Sequence, residues 1–312
     1  MGKPRPYHID DARLLRPWRL ALERRPLTPR AAGFARPELV ASTAWLADEL
    51  NRAEIRVLDV RWRPDGTGAQ AFEAGHIPGA VHVDWRTELN EVAGEEDGPA
   101  LRLAGADQVA ASMSHAGVGD GASVVIYDDS NGLYAARVWW TLRVYGFESV
   151  RVLDGGFPSW KQEKRIVSTA SLPHPDAAFT PRLNPRLRLT TADVRALLGS
   201  VDAQIVDARA VPEYRGHEGS ARRLGHIPGA VNLPVGATHE PGTQRLRDAE
   251  ILRGQLLKAN IAKGRRLVCY DSSGVGAARI AFILTLLGHD DVAVYDGGWA
   301  EWGDRLDLPV ER

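Results

Sequence analysis

The sequence predicts an α/β protein of two homologous domains, each a mainly parallel sheet flanked by helices. Blocks of the first half return in the second in the same order: Val57-Leu58-Asp59-Val60-Arg61 answers Ile205-Val206-Asp207-Ala208-Arg209, and Gly75-His76-Ile77-Pro78-Gly79-Ala80-Val81 answers Gly225-His226-Ile227-Pro228-Gly229-Ala230-Val231. Each half closes on an acid-glycine-glycine-aromatic turn and a tryptophan, Asp154 to Trp160 and then Asp296 to Trp302. Short Val/Ile/Leu runs alternate with helical stretches, the pattern of parallel β-α units. A repeat of this length exceeds solenoid periods and means two domains.

The first 36 residues carry Arg13, Arg16, Arg19, Arg24, Arg25 and Arg30 among five prolines and are expected to form a disordered extension. The first domain is expected over residues 37–165, with strands around 57–60, 124–127 and 150–153. Residues 166–187 hold Pro173, Pro175, Pro181 and Pro185 with little apolar periodicity and read as a linker. The second domain follows over 188–312. Helices are predicted over 135–144 and 277–287, apolar runs ending near Gly146 and Gly288.

The most informative segment is Leu267-Val268-Cys269-Tyr270 followed by Asp271-Ser272-Ser273-Gly274-Val275-Gly276, a buried parallel strand that turns abruptly into a small polar loop and a helix start. Val124 to Tyr127 followed by Asp128 repeats the device. Ligands of such sheets sit beyond the carboxyl ends of the strands, which makes loop 271–276 the expected site. The net charge of -1 provides no global field for nucleic acid. One cysteine excludes an internal disulfide, no apolar run reaches the ~20 residues of a spanning helix, and no secretory leader is readable. A cytoplasmic location is the default. The histidines and the cysteine lack zinc-ligand spacing, and the paired glycines lack the context of a phosphate loop, so neither a metal nor a cofactor is expected.

These motifs resemble the rhodanese family, specifically the tandem thiosulfate and 3-mercaptopyruvate sulfurtransferases. Phe72 with His76-Ile77-Pro78-Gly79-Ala80 and Val83 fits the family's amino-terminal signature, and residues 292–302 fit its carboxy-terminal one. The resemblance implies transfer of sulfur from a small sulfur-containing anion through a persulfide on the cysteine that opens the second loop. Here Asp271 stands in that place, and a carboxylate cannot accept sulfur. Like charges about 4 Å apart repel by roughly 4 kcal/mol at an effective dielectric of 20, so an anionic donor is disfavoured as well. Asp271 reads instead as an acceptor for its own loop amides and a cap for the following helix. Gly276 is a second departure, since the family usually places threonine or serine there.

The resemblance also implies ligand contacts from Arg209, from the loop residues Ser272, Ser273, Gly274, Val275 and Gly276, and from Arg222. It groups Ser273 with His76 and Asp65 as a relay across the domains. Arg209 has a second reading, as a partner that neutralises Asp271. Cys269 lies inside a strand and reads as a small buried hydrophobe with an inert thiol. The expected function is therefore a sulfurtransferase scaffold with its persulfide chemistry lost or vestigial. Two alternatives stand beside it: a binding module for an anion or a protein partner, and a hydrolase using Ser273 or Asp271 as nucleophile.

Overall fold

A computed structural model of the 312-residue chain describes residues 33–91, 101–171 and 174–312. The expected extension lies outside the described residues as far as residue 32. Residues 33–36, assigned to it from sequence, instead pack on the body: Phe34 is buried, and the Arg36 amide donates to the Leu286 carbonyl at 3.1 Å.

Each half contains one five-stranded parallel sheet. The first comprises β1 (Val40–Ala41), β2 (Ile55–Asp59), β3 (Ala80–His82), β4 (Ser123–Tyr127) and β5 (Val150–Leu153), in the order β1-β5-β4-β2-β3. The second repeats it with β6 (Arg188–Leu189), β7 (Ala203–Asp207), β8 (Val231–Asn232), β9 (Arg266–Tyr270) and β10 (Val292–Tyr295), in the order β6-β10-β9-β7-β8. The central strands are Val/Ile/Leu-rich and buried because helices cover both faces. Helices α1 (Thr43–Glu49), α2 (Gly68–Glu73), α3 (Trp85–Glu88), α4 (Ala106–His115), α5 (Leu133–Val144) and α6 (Gly156–Gln162) belong to the first half. Helices α7 (Thr191–Ala196), α8 (Val211–Tyr214), α9 (Ala249–Lys258), α10 (Val275–Leu286) and α11 (Gly298–Asp304) belong to the second.

Helices α5 and α10 explain how the halves combine. Both are apolar on nearly every side, α10 being buried at all twelve positions, so a single sheet cannot cover either. They pack on each other, with Trp139 edge-on to Phe282 at 5.0 Å between ring centroids. One apolar core therefore runs from the first sheet through both helices to the second sheet, while two smaller cores fill the outer faces. The helix pair also aims the loops before α5 and α10 toward the domain interface, where the site lies. No described helix is long and apolar enough to cross a membrane.

Candidate functional site

The loop from Asp271 to Gly276 joins the carboxyl end of β9 to α10. Gly274, the residue before the helix, has φ +85°, a left-handed conformation costly for other residues. That turn folds the loop amides back onto the acid. Asp271 Oδ1 accepts from the Gly274 amide at 2.5 Å, and Oδ2 from the Gly276 amide at 2.9 Å. Burial pushes the Asp271 carboxyl up from its ordinary 3.8, against the opposing pull of the Gly276, Gly274 and Ala277 amides and of Arg137. The carboxylate is half-buried and faces an open cavity of about 250 Å³.

That cavity lies between the domains. Asp271, Ser273, Val275, Gly276 and Val235 of the second domain face Trp62, Trp85, Arg86, Leu101, Leu133 and Tyr134 of the first. The three rings pack together: Trp85 stacks on Tyr134 at 5.0 Å, and Trp62 meets both edge-on. Gly276 has a specific role in this geometry. A Cβ there would come within 2.9 Å of Asp271 Oδ2, so the acid and the absent side chain at 276 are coupled departures.

Two buried arginines cross the interface. Arg137, from α5, pairs with Asp296 and with the Asn90 amide oxygen, each at 2.8 Å, and lies against the Gly274 carbonyl at 3.4 Å. Arg279, from α10, reaches in the other direction; a Cβ on Gly132 would lie 2.6 Å from its Nη1. Burial lowers the Arg279 guanidinium to about 10, with Asp128 and Asp154 opposing the shift. Matching carboxylates reinforce the exchange, since Asp296 accepts from the Leu103 amide and Asp154 from the Leu246 amide, each at 2.8 Å.

The remaining sequence-predicted residues are not gathered at this cavity. Arg209 is buried in its own domain, where its guanidinium holds Asp207 and the Gly225 carbonyl (2.7 Å) and lies 4.4 Å over the Trp299 ring. Its pairing with Asp271 does not form, because the short Asp-x-Arg spacing closes an internal bidentate clamp. Arg61 does the same with Asp59, the Gly75 carbonyl and the Phe157 ring. The relay of Ser273, His76 and Asp65 is likewise not assembled. His76 is buried, stacked on Phe72, with Nδ1 2.9 Å from the Phe72 carbonyl, and His226 stacks on Tyr214 in the matching place. Asp65 is exposed and accepts from Thr67. Ser272 turns its hydroxyl toward Glu213 at 3.5 Å, leaving Ser273 as the cavity serine. Arg222 is held by its backbone amide to Asp304, beside the end of α11 and outside the cavity lining. Cys269 is fully exposure-free within β9, and burial pushes its thiol far up.

Sequence reasoning missed Trp62, Trp85, Arg86 and Tyr134 as cavity residues. Trp62 directly follows the Asp-x-Arg motif, but only tertiary packing brings it to a loop some 200 residues away. The Ala-Ala-Arg triplets of both halves were visible; their crossing was not.

Two parallel α/β repeats that share a core and close a cleft over a strand-to-helix loop define a tandem two-domain protein whose candidate site is lined by both halves. The Rhodanese-like domain is matched twice, at residues 42–163 and 190–305, and the chain belongs to that family. The 3-mercaptopyruvate sulfurtransferase of Escherichia coli K12 is 32% identical over 280 residues, covering 86% of this chain and 95% of that protein. The human 3-mercaptopyruvate sulfurtransferase is 34% identical, covering 86% and 94%. The crystal structure of SseA, a 3-mercaptopyruvate sulfotransferase from Escherichia coli, superimposes with a TM-score of 0.75 at 29% identity, covering 84% of this chain and 98% of that one.

Proposed function

We propose that this protein is a rhodanese-type scaffold whose persulfide chemistry has been lost, and whose interdomain cleft is kept for binding. The observation that carries the reading is Asp271 at the head of the loop, its carboxylate taking the Gly274 and Gly276 amides that would otherwise face an anion. Persulfide transfer needs a thiolate that attacks the donor sulfur and then yields it to an acceptor. Asp271 has no such capacity. Cys269 is sealed in the sheet, and reaching the cleft would break β9 pairing on both sides. Ser273 lines the cleft without His76 near it, which leaves the hydrolase reading without its activating base.

Thiocyanate formation from cyanide, with thiosulfate and separately with 3-mercaptopyruvate, tests the reading. The unaltered protein is expected to give none above background, and Asp271→Cys to gain turnover. Turnover by the unaltered protein that disappears in Cys269→Ser would overturn it.

A further inference from the structure

The cleft that Asp271 denies to anions has walls suited to the opposite charge. Trp62 and Tyr134, backed by the buried Trp85, form an aromatic side, and a carboxylate forms part of the floor. Aromatic faces attract cations through the ring quadrupole, most strongly when the cation sheds water poorly held by its own substituents, as alkylated ammonium groups do. Trp62 already displays that affinity, since the Arg86 guanidinium carbon lies 5.2 Å from its ring centroid. Trp62 and Tyr134 are half-buried, so their rings remain partly open to the cavity. Arg86 is exposed at the same cavity, and the described lining thus carries one acid and one base, at different places.

We infer that this cleft binds a small zwitterion, with an alkylated ammonium group between the aromatic wall and Asp271 and a carboxylate directed to Arg86. The inference rests on the preceding reading of the cleft as a binding site, and specifies its ligand class. Asp271 suits the inner position because its amide bonds hold the carboxylate in place without using all of its acceptor positions. Arg86 suits the outer one because a guanidinium can engage a carboxylate through two N–H donors, while its own hold on Trp62 is solvent-exposed and readily exchanged. A cavity of about 250 Å³ accommodates a compact ligand of amino-acid size. Purely cationic and purely anionic molecules of that size satisfy only one end.

Calorimetric titration of the full-length protein with N,N,N-trimethylglycine, with acetate, with choline and with thiosulfate tests the inference. Trimethylglycine is expected to bind at least ten-fold more tightly than acetate or thiosulfate, with choline between them. Asp271→Asn should weaken trimethylglycine about ten-fold while narrowing its margin over acetate, and Trp62→Ala should weaken trimethylglycine and choline together. Arg86→Gln should weaken trimethylglycine and leave choline unchanged or tighter, a pattern that loss of folding cannot produce. Preference for thiosulfate or acetate, or trimethylglycine affinity indifferent to Asp271→Asn and Trp62→Ala, overturns the inference. The outcome separates from that of the function itself: thiocyanate turnover gained by Asp271→Cys with no trimethylglycine binding sinks the zwitterion alone, whereas turnover by the unaltered protein sinks the loss of sulfur chemistry.

Discussion

The loops after β4 and β9 begin with the same residue and end in the same Ala-Ala-Arg, yet they solve different problems. In the first, Asp128 is fully buried and accepts three backbone amides, from Ser130 (2.9 Å), Gly132 (2.8 Å) and Ala135 (2.9 Å). Its loop is one residue longer than the second, and Tyr134 occupies the place of Gly276. In the second, the shorter turn draws Asp271 so close to position 276 that a Cβ there would lie 2.9 Å from its Oδ2. Asp128 is sealed in the protein, with the Gln244 side-chain oxygen accepting from the Asn131 amide at 3.2 Å above it, while Asp271 opens on a cavity. One acid organises a loop; the other also faces an open cavity. The same residue type thus acquires its role from loop length and exposure.

The largest effect should come from removing the sealed acid. Asp128→Ala strands the buried Ala135 amide and the partly buried Ser130 and Gly132 amides, and with about 1–3 kcal/mol for a buried group left unsatisfied it should lower the unfolding free energy by ~3 kcal/mol. Asp271→Ala, at a site that water can enter, should cost ~1–2 kcal/mol. Urea titrations of both variants decide this, and the reverse order would break the comparison. Next, Gly276→Ala should cost ~1–3 kcal/mol through the clash with Asp271, and less in an Asp271→Cys background. A double-mutant cycle should return a coupling of ~1 kcal/mol; additive costs would show that the two positions are independent.

The pH dependence sharpens the contrast further. Burial raises both carboxyls above 3.8 in the folded protein. The folded state therefore binds protons more readily than the unfolded chain, and the resulting stabilisation is complete below the unfolded pKa and is lost as pH rises through the folded one. Stability relative to Asp128→Asn, and likewise relative to Asp271→Asn, should grow as pH falls from neutrality toward 4. Growth with rising pH instead would show that the amides outweigh burial. The smallest effect is expected at Cys269, whose thiol should resist iodoacetamide in the native protein and react only after unfolding.

Much of the architecture was legible because parallel strands and the helices between them leave local signatures. The run from Leu267 to Tyr270 and the abrupt change at Asp271 located both β9 and its loop. The repeated Asp-x-Arg and His-Ile-Pro-Gly motifs were equally visible, but their purpose was not. Sequence spacing does not reveal that Arg209 spends its hydrogen bonds on Asp207 two residues away, or that His76 stacks on Phe72. These motifs brace the sheet edge in both halves, which is why they recur with and without a nearby cavity. The aromatic wall stayed hidden for a different reason: Trp62, Trp85 and Tyr134 lie far apart in sequence, and nothing local distinguishes them from core residues.

The exchanged arginines mean that neither repeat is a finished object. Arg137 steadies the turn at Gly274, and Arg279 lies against the turn at Gly132, so each half carries the key to the other's lock. Severing the chain at the linker would leave each fragment with a buried cation deprived of its setting and an exposed apolar helix, α5 or α10. Ancestral duplication has here become interdependence: the copies diverge in what they hold, but separation is closed to them.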